Sequence, residues 1–291
     1  MQGSIGERRP LLTDQSIDAH EREIVLSTVL LNWNRASLLA RTVESYLATV
    51  SVPYELIIVD NGSTDESPRL ITAVCEGHDN HQAILLPDNL GGEAINAGIE
   101  RCHGRYVHVS ENDMEYLPGW DRTLLAKPRA FPGLGQISPL APVPQAEEIV
   151  SPRTRDGMTV RVTDRGVTTT CVIPREVYER GARWTTKGSG EFRFPRDGRF
   201  SGAVKALGYF VAWNDAYVAR DLGHTLDEFK NRLPYYIENY TAKPRKGVEH
   251  FDRILRAVYG HRLVRDEAGR WSIEEQGDTP ETPEGEGRPA P

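Results

Sequence analysis

Gly104-Arg-Tyr-Val-His-Val-Ser-Glu-Asn-Asp-Met-Glu-Tyr-Leu-Pro-Gly-Trp120 joins a strand pattern directly to an acidic cluster. After the Gly break, Tyr106–Val109 carries the β-branched and aromatic residues of a short buried strand. Glu111, Asn112 and Asp113 follow at once. Side chains alternate along an extended chain, so Glu111 and Asp113 point to one side. Two close carboxylates repel each other and are costly to bury unpaired. A divalent cation removes that penalty, and hard oxygen ligands suit Mg²⁺ or Mn²⁺. A solvated acidic turn after a strand is the other reading of the same residues.

Upstream, Glu23–Leu31 is a near-continuous apolar run, as expected of a strand covered on both faces. Asn32-Trp-Asn-Arg35 breaks it, and Ser37 is placed to cap a helix carrying Leu38, Leu39, Val43, Tyr46 and Leu47. Tyr54–Asp60 is a second buried strand, followed by the turn Asn61-Gly-Ser-Thr-Asp65 and a helix near Ser67–Glu76. Ala83–Leu86 is a third strand, Asn89-Leu-Gly-Gly92 a loop and Ala94–Cys102 a helix. This βαβαβαβ order predicts an α/β fold, a mostly parallel sheet flanked by helices. In such sheets ligands bind beyond the carboxyl ends of the strands, so the loops at Asn32, Asp60, Asn89 and Glu111 should meet at one crevice.

Downstream, residues 128–152 are rich in Pro and Gly and read as loops with short strands. Thr159–Val162 and Thr168–Ile173 read as strands that pair with each other or elsewhere, and Pro174–Gly181 as a short helix stopped by Gly. Arg183–Arg199, Gly-rich, basic and aromatic, suits a mobile loop over a site. Phe200–Leu207 reads as a helix and Tyr209–Trp213 as a strand. Thr225–Asn231 and Val248–Tyr259 read as helices joined by a Tyr-rich link.

The 291 residues suffice for one large core or two modest ones. With 35 Lys+Arg against 42 Asp+Glu, the net charge of -7 argues against non-specific nucleic-acid binding. Cys75, Cys102 and Cys171 show neither metal-ligand spacing nor a disulfide framework, which fits a reducing, cytoplasmic setting. The apolar runs fall well short of the ~20 residues that a transmembrane helix needs.

Four motifs occur in order: Val29-Leu-Leu-Asn-Trp-Asn-Arg35, Glu55-Leu-Ile-Ile-Val-Asp-Asn-Gly-Ser-Thr-Asp65, Asn89-Leu-Gly-Gly92 with Asn96-Ala-Gly98, and Gly104-Arg-Tyr-Val with Glu-Asn-Asp113. Together they resemble the family-2 glycosyltransferases, in register over about 24–120 and more weakly to about His224. The resemblance implies a GT-A-like fold, a nucleotide-diphospho-sugar donor and a divalent metal, Mn²⁺ or Mg²⁺. It implies a glycosyltransferase domain (23–224, with 23–113 binding nucleotide sugar and 114–224 facing the acceptor), while composition and pattern alone make 1–22 a flexible arm, 225–275 a C-terminal helical extension and 276–291 a disordered tail.

By that resemblance Asn32, Trp33, Arg35, Asp60 and Asn61 lie where base and ribose are held. Gly91, Gly92 and Asn96 pass near the donor, though a tight turn explains the glycines equally well. Asp65 is expected to cap or turn. Glu111-Asn112-Asp113 fills the place of the family's DxD motif, with Asp113 the metal ligand and Glu111 on ribose or metal. Counting back eleven residues from Gly208-Tyr209 reaches Asp197, the candidate base, with Glu191 second; Arg196 stands where the family has its other acid. Asp221 or His224 completes the metal site. Trp184, Phe192 and Phe194 stack on a sugar face or pack.

The function implied is sugar transfer to an acceptor nucleophile, inverting and metal-dependent; the acceptor class, whether small molecule, glycan precursor or peptide, stays open. A retaining transferase, a non-catalytic nucleotide-sugar-binding protein and a nucleotidyltransferase are the rivals.

Overall fold

The apolar run forms strand β1 (Leu26–Asn32) of a computed structural model that describes residues 24–140, 150–190, 192–242 and 247–276. The elements after it run α1 (Ala36–Thr49), β2 (Tyr54–Asn61), α2 (Ser67–Cys75), β3 (His81–Leu86), α3 (Glu93–Ile99), β4 (Tyr106–Glu111), β5 (Met114–Tyr116) and α4 (Trp120–Ala130). Then come β6 (Leu134–Ser138), β7 (Val150–Arg155), β8 (Met158–Thr163), β9 (Cys171–Pro174), α5 (Arg175–Glu179), β10 (Thr186–Ser189), β11 (Phe192–Pro195), α6 (Asp197–Ala206), β12 (Phe210–Asn214) and β13 (Ala219–Asp221). The main sheet has nine strands among the described residues, in the order β3-β2-β1-β4-β9-β6-β12-β8-β7.

Strands β3, β2, β1 and β4 are parallel, as the alternation of strand and helix requires. Both sheet faces are apolar because successive residues serve opposite layers. Leu26, Leu30, Leu56 and Ile58 pack with α1, α2 and α4, while Val29, Ile57, Val59, Val107 and Val109 pack with α3 and α6. Gly98 lets α3 lie on that second face: a Cβ there would stand 2.4 Å from Val29 Cγ1.

Strand β9 departs from the parallel pattern. It enters between β4 and β6 and runs antiparallel to both. The segments around Thr159–Val162 and Thr168–Ile173 do not pair with each other: β8 pairs with β12 and β7. Helix α4 continues through Pro128, beyond where the loop was expected to start, because a proline in the last turn forfeits only one of its hydrogen bonds.

Helix α1 begins at Ala36, so Ser37 is inside it and cannot cap it. The capping oxygen comes from elsewhere: Asp65 accepts from the N–H groups of Ala36 (2.9 Å) and Ser67 (3.0 Å), serving two helix starts. Thr42 and Ser45 of α1 in turn accept the main-chain N–H of Met114 and Tyr116, which fixes β5.

The chain divides into two compact units, residues up to Lys187 with Arg193–Asp221, and Gly188–Phe192 with Leu222 onward. In the second unit, α7 (Leu226–Asn231), α8 (Leu233–Ala242) and α9 (Gly247–Tyr259) pack around Phe229, Tyr236, Tyr240 and Phe251. Thr225 caps α7 through Glu228 N. The Tyr-rich link is therefore itself helical, since its tyrosines supply this core. An antiparallel hairpin, β14 (His261–Arg265) with β15 (Trp271–Glu275), follows, so the extension is not purely helical. No helix among the described residues is long and apolar enough to cross a membrane. The predicted arm (1–22) and tail, from residue 277 on, lie outside the described residues, as does Glu191.

Candidate active site

The parallel strands bring the predicted loops to one rim. In register, Asn32 lies beside Asp60 and Leu31 beside Glu111. Asn32 Nδ2 donates to Asp60 Oδ1 (2.9 Å), and Asn112 Nδ2 donates to Asn32 Oδ1 (2.7 Å) and to the carbonyl of Asn34. Asp60 also accepts from Ser63 N (3.0 Å) and Ser63 Oγ (2.6 Å). A buried carboxylate needs such donors. Ser63 matters as much here as the residues singled out from the sequence, but its role depends on the fold and no local pattern marks it.

Asn61 ties the next loop in, donating to Asn89 Oδ1 and the Gly91 carbonyl and accepting from Leu90 N. Gly91 has φ +63 and meets Thr186; a Cβ on Gly92 would lie 2.5 Å from the Thr185 carbonyl oxygen. The glycines thus admit the 185–186 segment, whose Thr186 Oγ1 donates to the Leu90 carbonyl at 2.6 Å. Asn96 holds the same segment: its amide donates to the Trp184 carbonyl (3.0 Å) and accepts from Trp184 N (3.1 Å). Trp184 is buried and stacked on Phe200 at 4.1 Å, so it packs and offers no face to a sugar. The Gly92→Ala variant is expected to lose about 1–3 kcal/mol of stability by overpacking, measured by urea denaturation.

The backbone at Asn34 (φ 54) and Arg35 (φ 67) is left-handed, at roughly 1–3 kcal/mol each for side-chain-bearing residues. Ser63 Oγ, Thr64 N and Asn112 Nδ2 bond to Asn34 and hold it there. Trp33 beside them is half-buried. The bend sends Arg35 Nη1 to Asp113 Oδ2 at 2.9 Å, an ion pair with side chains only 11% and 10% exposed.

Asp113 lies between β4 and β5. Asp221 on β13 pairs in register with Met114, which brings carboxylate oxygens of Asp113 and Asp221 within 4.8 Å. Burial pushes the Glu111 carboxyl well above its usual pKa, and the charges of Asp113, Asp197 and Asp221 add to the effect against Arg35. Four predicted acids therefore share one electrostatic neighbourhood. Asp197 is the first residue of α6 and accepts from Thr169 Oγ1 at 2.5 Å. The neighbouring Thr170 Oγ1 accepts from Glu111 N at 3.2 Å. These two buried threonines precede β9 and link Asp197 to Glu111; sequence reading passed over them because a hydroxyl acquires such a role only through tertiary contact. His224 opens the second unit, exposed, its ring edge-on to Phe229. Hard carboxylate oxygens this close fit a divalent cation of the Mg²⁺ or Mn²⁺ kind.

The family model described as glycosyl transferase family 2 matches residues 27–130, the span from β1 through α4 that carries this rim. Residues 27–130 are a family-2 glycosyltransferase domain. The chain is 33% identical over 100 residues to a succinoglycan biosynthesis protein, ExoO, of Rhizobium meliloti, covering 34% of this chain and 28% of that protein. It is 33% identical over 91 residues to an undecaprenyl-phosphate 4-deoxy-4-formamido-L-arabinose transferase of Klebsiella pneumoniae, covering 31% and 28%. The matched stretch thus spans under a third of each relative's length. Among solved structures, a mannosyltransferase of Pyrobaculum calidifontis in complex with GDP-Man and Mn²⁺ superposes with TM-score 0.56 at 15% identity, covering 80% of this chain and 65% of that one. That likeness establishes the fold, GT-A with a mixed, mostly parallel central sheet.

Proposed function

We propose that the protein transfers a sugar from a nucleotide-diphospho-sugar donor to an acceptor nucleophile, with inversion at the anomeric carbon. The observation that carries this is the meeting of Asn32, Asp60 and Asn112 with Glu111, Asp113, Asp197 and Asp221 at the carboxyl ends of parallel strands, within a glycosyltransferase domain. Asn32, Trp33, Asp60 and Asn61 form the nucleoside side of the site. Asp113 and Asp221, with Glu111 beside them, would hold a divalent cation; His224 is a further ligand candidate on its sequence position alone. When bound, that cation neutralises charge on the departing diphosphate. Support for donor and metal comes from the structural neighbour, which carries GDP-Man and Mn²⁺.

Asp197 is the base in this reading. It takes the acceptor proton as the nucleophile attacks in line, and the hydrogen bond from Thr169 fixes its rotamer. The Asp197→Asn variant is expected to bind donor within about twofold of wild type in calorimetry while transfer falls roughly 10²–10⁴-fold. Sustained transfer by this variant, with a product anomer that matches the donor by NMR, refutes both the base and the inversion. A thermal-shift screen of nucleotide sugars with Mn²⁺ and Mg²⁺ identifies the donor, and a total lack of stabilisation by any of them refutes the transferase reading itself.

A further inference from the structure

We propose that the Arg35 guanidinium is the resident counter-ion of Asp113, and that a divalent cation binds this carboxylate only in competition with it. The inference rests on the metal-site reading above and goes beyond it. Arg35 is aimed at Asp113 by design of the backbone. Two successive left-handed residues at Asn34 and Arg35 turn the chain, and Asn34 is pinned by Ser63, Thr64 and Asn112. A conformation this unfavourable persists only where its surroundings over-determine it. The Arg35 side chain does nothing for the helix start, whose N–H groups at Leu38 and Leu39 bond the Arg35 carbonyl and whose side-chain cap is Asp65. What the turn does achieve is the 2.9 Å ion pair with a carboxylate that is only 10% exposed.

The chemistry of the neighbourhood explains why a counter-ion is wanted. Asp113, Asp197 and Asp221 all act on the Glu111 carboxyl, and like charges gathered at one rim repel strongly. Arg35 is the positive charge that opposes them in the field at Glu111. A doubly charged ion brought to the Asp113 oxygens meets the guanidinium at close range. Even at the dielectric of bulk water, charges of two and one about 5 Å apart repel enough for roughly a tenfold change in affinity. Arg35 therefore lowers metal affinity and keeps Asp113 ordered when no cation is bound.

The test is Mn²⁺ binding by the full chain, read by electron paramagnetic resonance of free Mn²⁺, without donor or acceptor. Arg35→Gln is expected to bind Mn²⁺ about tenfold more tightly than wild type, and Arg35→Lys, which keeps the charge, to stay near wild type. Arg35→Asn removes the charge and tolerates the left-handed backbone, so it gives the same reading if the Gln variant folds poorly. Unchanged or weaker binding by both neutral variants overturns the proposal while leaving the metal site standing, provided Asp113→Asn abolishes the wild-type signal. Failure of every variant, wild type included, to bind Mn²⁺ overturns the proposal together with the metal-site reading.

Discussion

Asp113→Ala lowers sugar-transfer turnover on the order of 10³-fold, the scale of losing the main electrostatic stabiliser of a leaving group. The carboxylate sits where β4 gives way to β5, between the Arg35 guanidinium and Asp221. Removing it takes away an oxygen of the proposed cation site and leaves Arg35 facing the other acids. On the proposed reading the loss falls on kcat more than on donor affinity, because the hydrogen-bonded set of Asn32, Asp60 and Asn112 is untouched. Asp113→Asn, which preserves the volume, shows the same loss with less effect on folding. Steady-state kinetics with the donor found by thermal shift checks both variants, and a variant with turnover within a few-fold of wild type removes the diphosphate from this carboxylate.

The second large effect is acid sensitivity set by His108. Its ring is fully buried, 4.7 Å from the Trp120 ring, with Nδ1 near Thr28 Oγ1 (3.3 Å) and Nε2 near the Tyr116 hydroxyl (3.1 Å). Burial pushes its pKa down to about 3. The unfolded chain takes up this proton near pH 6.5 and the folded chain does not, so the unfolded state binds more protons between those values. Stability therefore falls as pH drops below about 6.5, by about 1.4 kcal/mol for each pH unit, until the folded pKa is reached. His108→Gln is less stable at pH 7 but lacks this slope. Between pH 6.5 and 4.5 wild type loses about 2.3 kcal/mol relative to the variant in urea titrations, a little under two full units of slope because the unfolded imidazole is only half protonated at pH 6.5. Parallel pH profiles for the two proteins refute the assignment.

Glu55 acts in the same direction at the other end of the sheet. Burial raises its pKa, but hydrogen bonds from Ser27 and from His103 outweigh that and leave it lowered. Its contribution is present above the normal carboxylate range and is lost as pH falls through the lowered value. Because Glu55 is common to wild type and the His108 variant, it cancels in the comparison.

The half of the fold that carries Asn32, Asp60 and Asn61 was legible because its rules are local. Continuous apolar runs at 24–31 and 54–59, each closed by Asn or Asp, state both the buried strands and the loops at their ends. Asp65 was recognisable as a capping residue, but not as the cap of α1, which lies 29 positions earlier. Strand β9 could be placed along the chain but not in the sheet. Its partners on β4 and β6 are set by packing over long separations, and a short strand buried on both faces carries no alternation to fix its direction. Helix α8 was hidden because its tyrosines read equally well as a polar link until Phe229 and Phe251 give them something to pack against. In the site, the acids were visible as acids. The hydroxyls of Ser63, Thr169 and Thr170 that hold them were not.

The reversal of β9 has a consequence for how the reaction centre is assembled. A strand running with its neighbours would deliver its tail to the rim; running against them, β9 delivers its head, with Thr169 and Thr170 just before it. Asp197, the proposed base, is therefore joined to Glu111 by two consecutive threonines threaded in from a remote part of the chain. The first four strands hold the Asn32–Asp60 contact among themselves, whereas the Thr169–Asp197 contact needs residues that come after them. In the proposed reaction, proton transfer therefore depends on β9 lying beside β4.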